Sequence, residues 1–352
     1  MKPPVKWALM GIAAVALIFA GLLMAGNSRG SQHKENDVLT VDSEPVSMEE
    51  FQAKMEEEKP EVFVYFHEKY GANQERGFWT TPFGREVPLD KLKEQTLQDL
   101  VRTKIEQIVG KEQGAIKDIS YSAFLRNLAK ENQRRQDAIK NNEAVYGTAS
   151  VTALNYFRTT YDEMVTEVKE KLAKNEFRLS DEQIKQMYEA DKETLYKVQD
   201  TITVKVIAVS AVDGNDDAKA AAEKIKSLLD KGTTIDEIPK AFSGNASVKI
   251  DIQDQVFNVE NSEYGDDRYV LLSPEASKLE EGQASQVIEG DGAYLIMSCT
   301  ERAENGSMPL EQVEGLIVAR YVNQKYNDLI DERVQQAEVS IDKLMYDEIT
   351  GE

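Results

Sequence analysis

The chain has 352 residues, and its 42 Lys and Arg stand against 63 Asp and Glu, giving a formal net charge of −21. This length points to about two folded units, and the acidic balance argues against nucleic acid, whose affinity is carried by cations at phosphates. Two histidines (His33, His67) and one cysteine (Cys299) rule out an intrachain disulfide and the usual Cys/His zinc site. No GxGxxG or HExxH is present, so neither metal nor cofactor is expected.

Residues 1–28 open with Lys2 and Lys6 and then carry no charge from Trp7 through Ser28. A run of about 20 apolar residues spans a bilayer. The segment reads as an uncleaved signal-anchor: a single-pass cell-membrane protein, N-terminus cytoplasmic, bulk extracytoplasmic. A cleaved signal is the alternative, although cleavage after Ala25 would place Leu23 where a small residue is wanted. Asn27 stands where a lipoprotein signal needs cysteine. Residues 29–37, "RGSQHKEND", read as a polar linker.

Residues 38–198 read as mostly helical. Val38, Leu39 and Val41 predict a short strand, and Ser47 with Glu50 predicts a capping box for a helix carrying Phe51 and Met55. The loop-like stretch 71–88 holds Phe78, Trp79 and Phe83, either a binding surface or a cover for the core. Apolar residues recur at helical spacing over 89–109 and 150–175, and another helix begins at Ser122 with Phe124, Leu125 and Leu128. The charged run from Lys130 to Glu143 reads as a solvated face. Ser180 and Gln183 predict a second capping box.

From Thr201 the pattern changes. Ile202, Val204, Val206 and Ala208 share one face of a strand by its two-residue period. The order strand, two helices, strand, helix, strand over 199–304 predicts a compact α+β unit. Cys299 follows the apolar "AYLIM" and reads as a small buried hydrophobe. Residues 305–342 read as a long helix with Pro309 in its first turn, returning to complete the helical region; 343–352 read as a tail.

Several stretches resemble the SurA/PrsA group of extracytoplasmic foldases. "VLTVDSEPVSMEEF" resembles the group's opening turn and first helix. "LSDEQIKQMYEADKETLYKVQDTITVKVIAV" resembles the entry into a parvulin-type (PpiC) prolyl isomerase domain, and "ASKLEEGQASQVIEGDGAYLIMSCTERAE" its closing helix, turn and last strand. The likeness implies an α+β chain: an N-terminal transmembrane helix, a helical chaperone module completed by the C-terminal helix, and an inserted parvulin-like domain. Such a protein would bind unfolded or partly folded exported polypeptides.

The resemblance fails at the catalytic positions. Where parvulins carry a first-strand histidine this chain has Val206; where they carry cysteine or aspartate it has roughly Gly244 or Asn245; Tyr294 takes the place of the second histidine. Isomerisation crosses a barrier of about 18–20 kcal/mol without breaking a covalent bond, so it needs an apolar cleft and polar groups that favour the twisted amide. With Val206 the histidine pair cannot form, and no catalytic residue is assigned. Efficient isomerisation is therefore not expected, and the leading expectation is a membrane-anchored chaperone. An active isomerase with a variant pocket would instead bring Leu271, Leu272, Tyr294 and Ser298 into one cleft. Under the chaperone reading, Phe63, Phe66, Phe78, Trp79 and Phe83 are candidate binding residues. An anchored assembly or scaffold protein is the third reading.

Overall fold

The computed structural model describes residues 36–212, 217–258 and 267–351. The signal-anchor expected over 1–28 lies outside the described residues. Among the described residues, no helix is long and apolar enough to cross a membrane.

In chain order the elements are β1 (Asp37–Val41), β2 (Glu44–Ser47), α1 (Met48–Tyr70), α2 (Pro88–Glu112), α3 (Tyr121–Lys140), α4 (Ala153–Lys174) and α5 (Asp181–Asp191). Then come β3 (Thr201–Ala211), α6 (Asp217–Asp230), α7 (Ile238–Ala241), β4 (Val248–Phe257), α8 (Asp267–Ala276), β5 (Ile288–Gly290) and β6 (Ala293–Ala303). The chain closes with α9 (Leu310–Gln336), β7 (Val339–Ile341) and α10 (Lys343–Glu348). They divide into two compact units, one running to Leu179 and resuming at Val318, the other Ser180–Ile317.

In the first unit Ser47 caps α1, its hydroxyl accepting from the Glu50 amide at 3.2 Å. The expected capping box is half formed. Glu50 turns inward instead and pairs with Lys104 of α2 at 2.9 Å, since a carboxylate buried to 9 % exposure needs a charged partner more than a backbone amide. The box at Ser180 is complete, with Ser180 N donating to Gln183 at 2.9 Å and Gln183 N to Ser180 at 3.3 Å. Phe51, Met55, Val62 and Phe66 of α1 pack on Leu92, Leu97, Val101 and Ile105 of α2 in one core. Each such side chain contributes about 1.5–3 kcal/mol on burial.

The C-terminus departs from the expected single helix and tail. The helix stops at Gln336, and Val339–Ile341 form a strand pairing antiparallel with β1, Leu39 opposite Ile341 and Val41 opposite Val339. The sheet order is β2-β1-β7. Local periodicity over "AEVSI" carries no trace of a partner strand so far back in sequence. Residues 343–351, read as part of a tail, are packed against the first unit. Asp342 caps α10, Tyr346 meets Phe51 edge-on at 5.8 Å, and Gly351 lies so close to Trp79 that an added Cβ would come within 2.6 Å of its ring.

The second unit is built on an antiparallel sheet of order β4-β3-β6-β5. Ile202, Val204 and Val206 face Met297, Cys299 and Leu295 of β6, Phe257 of β4, and Tyr269, Leu272 and Ala276 of α8. On the reverse face, Ile207, Val209 and Ile296 meet Ala218, Ala222 and Ile225 of α6, with Ile238, Phe242 and Val248. Coverage on both faces is why β3 reads as a nearly unbroken apolar run.

Candidate functional site

The centre of the sheet is hydrocarbon. Val206 is 1 % exposed and stands opposite Met297 on one side and Gln253 on the other. Ala208 stands opposite Leu295, and Val209 opposite Tyr294. Register therefore puts Leu295 and Met297 on the Val206 face and Tyr294 on the reverse, where it packs with the α6 cluster. Cross-strand neighbours share a face, and a one-residue slip reverses it. Met297 meets Val206 across the sheet, with Leu295 beside it on the same face, whereas Tyr294, in the place of the second histidine, lies on the reverse.

Polar groups on this face come from the edge strand β4. Gln253 donates to Asp251 at 2.8 Å and accepts from Arg268 of α8 at 3.3 Å. Gln255 stands opposite Val204. Cys299 is buried, and burial pushes its thiol up. Its amide donates to Gln283 O at 2.9 Å, and Gly282 N donates back to Cys299 O at 2.9 Å. Gly282 has φ +83°, which only glycine adopts freely. Buried Ser285 accepts from Met297 N at 2.9 Å and donates to Gln286 O at 2.8 Å. The Glu281–Ser285 turn is thus a strap onto β6, and its hydroxyl is fully occupied by the backbone.

The remaining candidates do not converge. Leu272 is buried in the cluster around Val206, whereas Leu271 on the same helix is 42 % exposed. Ser298 alternates with Met297 and so lies on the reverse face with Tyr294. Asn245 is exposed in the turn before β4, accepting from Ser247 N at 3.1 Å. The residues flanking that turn, Phe242 and Val248, are anchored on the reverse face. Phe78, Trp79 and Phe83 belong to the first unit's core: Phe78 is 3 % exposed and packs on Phe63, Phe66 and Phe83 at ring separations of 5.6, 6.1 and 5.8 Å. Aromatic rings in a glycine-containing loop gain most by folding back over a neighbouring helix, which here is α1.

The first unit carries a concavity that the sequence did not single out. A groove of about 370 Å³ lies between α1, α2, the 113–120 connection, α3 and α4. Tyr121 stacks on Phe124 at 5.6 Å, Phe124 approaches Tyr156 and Phe157 at 5.8 and 6.0 Å, and Phe157 stacks on Tyr161 at 5.3 Å. Leu154, 38 % exposed, stands on the wall, while Leu100 and Met164 line it from within. Only Ala123 and Ala138 of α3 are buried, so the apolar side of this helix is half uncovered. The clue in sequence was that Phe124, Leu125 and Leu128 recur on one helix whose other residues are almost all charged or polar. At the groove's inner end Lys104, 1 % exposed, binds Glu50 and donates to Ile119 O at 3.2 Å. Burial raises the Glu50 carboxyl, against the lowering pull of Lys104. Among the described residues no His, Cys, Asp and Glu cluster fit for a metal occurs.

Residues 179–315 match the family model of the PPIC-type PPIase domain, the parvulin-type domain that the sequence had placed over 199–304. No curated protein matches the chain. Among solved structures, a SurA-like chaperone of Campylobacter jejuni is similar at 17 % identity and a TM-score of 0.30, covering 88 % of this chain and 100 % of that one. The foldase PrsA of Lactococcus lactis is similar at 14 % identity and a TM-score of 0.26, covering 89 % and 97 %. PrsA of Bacillus subtilis is similar at 18 % identity and a TM-score of 0.21, covering 86 % and 91 %.

Proposed function

We propose that the protein is a membrane-anchored extracytoplasmic chaperone that binds unfolded exported polypeptides, and that its PPIC-type domain has lost efficient isomerase activity. The observation that carries this reading is the packing around Val206. Leu295, Met297, Leu272 and Phe257 fill the face on which an isomerase of this kind would hold its polar network. Binding without isomerisation still needs an apolar surface, and the aromatic groove of the first unit supplies one. The anchor rests on the charge-free stretch from Trp7 through Ser28 behind Lys2 and Lys6.

The test is a pair of assays on the purified chain in mild detergent: prolyl isomerisation of a tetrapeptide, and aggregation of a chemically denatured client. The expected result is weak or absent isomerisation with strong suppression of aggregation. Failure to suppress aggregation at equimolar ratio would favour a scaffold that binds one folded partner.

A second reading is favoured by Gln253, which stands beside Val206 within hydrogen-bond reach of Asp251 and Arg268. In that reading these groups replace the histidines and the domain isomerises slowly. Measurable activity abolished by Gln253→Leu would select it.

A further inference from the structure

The groove between α1, α2, α3 and α4 has an uneven stock of hydrogen-bonding groups. Its lining cation Lys54, and the neighbouring Lys104 and Arg158, are already paired. Lys54 is held by Glu58 at 2.7 Å, Glu57 at 3.4 Å and Asp99 at 3.5 Å. Lys104 is held by Glu50 Oε1 at 2.9 Å, and Arg158, reaching across from α4, by Glu57 at 3.0 Å. Its acceptors are not all paired. Glu50 Oε2 and Gln107 Oε1, both on lining residues, are buried without a hydrogen-bond partner. An acceptor left buried and unpaired is costly, and a guest that supplies the donor recovers that cost. Around this site lies a chain of net charge −21, which draws cationic segments and repels acidic ones.

We infer that the groove selects apolar polypeptide segments flanked by lysine or arginine, the apolar side chains entering among Leu154, Phe124 and Phe157 and the cationic flank meeting Glu50 and Gln107. The inference rests on the chaperone reading and deepens it by naming the client. Rings supply contact without regard to the order of the apolar residues, because aromatic faces accept many shapes. The acceptors supply the selectivity. A segment with acidic flanks would meet cations that are already paired and would stand beside Glu50, Glu56, Glu57 and Asp118 on the lining, an arrangement that repels it. Small openings of α3, whose apolar side is half uncovered, suffice to admit a donor to the two buried oxygens.

The experiment uses the full chain in mild detergent and three fluorescent peptides. They share one central run of leucine, phenylalanine and isoleucine and differ only in flanks of lysine, glutamine or glutamate. By anisotropy the lysine-flanked peptide is expected to bind about tenfold tighter than the glutamine-flanked one, the effect of one charge-assisted hydrogen bond. The glutamate-flanked peptide binds weakest, and added salt narrows the spread. Phe157→Ala weakens all three, whereas Glu50→Gln and Gln107→Met each reduce the ratio of lysine-flanked to glutamine-flanked affinity. Gln107→Met keeps the test sound if Glu50→Gln fails to fold. Equal affinity for the three peptides, or a preference unchanged in both variants, overturns the inference. So does aggregation suppression that persists while peptide binding ignores Phe157→Ala, and in that case the chaperone reading stands. Loss of suppression altogether in the unaltered chain removes both.

Discussion

Tyr326 of α9 donates its hydroxyl to Glu106 of α2 at 3.3 Å across 220 positions of sequence. Both side chains are buried, Tyr326 at 1 % and Glu106 at 7 % exposure. Tyr161 of α4 donates to the same carboxylate. Burial pushes both the phenol and the carboxyl up, the phenol so far that it stays protonated and able to donate. Three helices thus meet on one carboxylate, and the C-terminal helix is fastened to the N-terminal core. Removing the hydroxyl by Tyr326→Phe is expected to lower stability by about 1–2 kcal/mol, read by urea unfolding. An unchanged midpoint would show that the bond contributes nothing net.

Lys104 gives a larger effect. It is the charge partner of Glu50 inside the first unit, and removal of one member strands the other in a low-dielectric site. Lys104→Met is expected to cost about 3–5 kcal/mol, and adding Glu50→Gln should restore most of the loss. Equal destabilisation of the single and the double variant in thermal unfolding would count against an ion-pair origin.

Asp99 controls a pH response. Burial, then the neighbouring Glu58 carboxylate, raises its carboxyl from 3.8 to about 6. Between those values the folded state holds a proton that the unfolded chain has released, so this group's contribution to stability falls as pH rises through the window. Above it, the ionised Asp99 is a standing cost. Its side chain is 45 % exposed, so solvent screening trims that cost to about 1 kcal/mol. Asp99→Asn should therefore stabilise the protein near neutral pH, and the gain should vanish near pH 4 or so. A gain that is flat across the range, in chemical unfolding followed at several pH values, would assign it to something other than titration.

Val206→His tests whether one residue separates this domain from an isomerase. An imidazole placed there meets Met297 and Leu272 with no partner of its own. The expected outcome is a loss of about 2–3 kcal/mol in stability and no gain in tetrapeptide isomerisation. A rise in rate would mean that the missing network needs only its first member.

Local grammar reached the elements well. Ser180 and Gln183 announced a capping box that forms in full, and the alternation Ile202-Val204-Val206 announced a strand with a buried face. It failed where a distant partner decides. Glu50 was spaced to cap its own helix, yet Lys104 takes it inward. "VSI" after a long helix became a strand because β1 offered an open edge. Tyr294 takes the place of the second histidine in the chain, but register puts it on the sheet face away from Val206. Phe78 and Phe83 turned inward because the helix they cover lies earlier in the chain.

The sequence by itself determined the charge balance and the apolar character of β3, since each depends on residue type and short-range period alone. Only the tertiary structure decided which residues face Val206. That depends on strand register, and shifting it by one residue exchanges leucine for tyrosine at no cost visible in the sequence. It also decided that a groove with spare acceptors exists, because a cavity is what four packed helices leave unfilled, and no single helix encodes it.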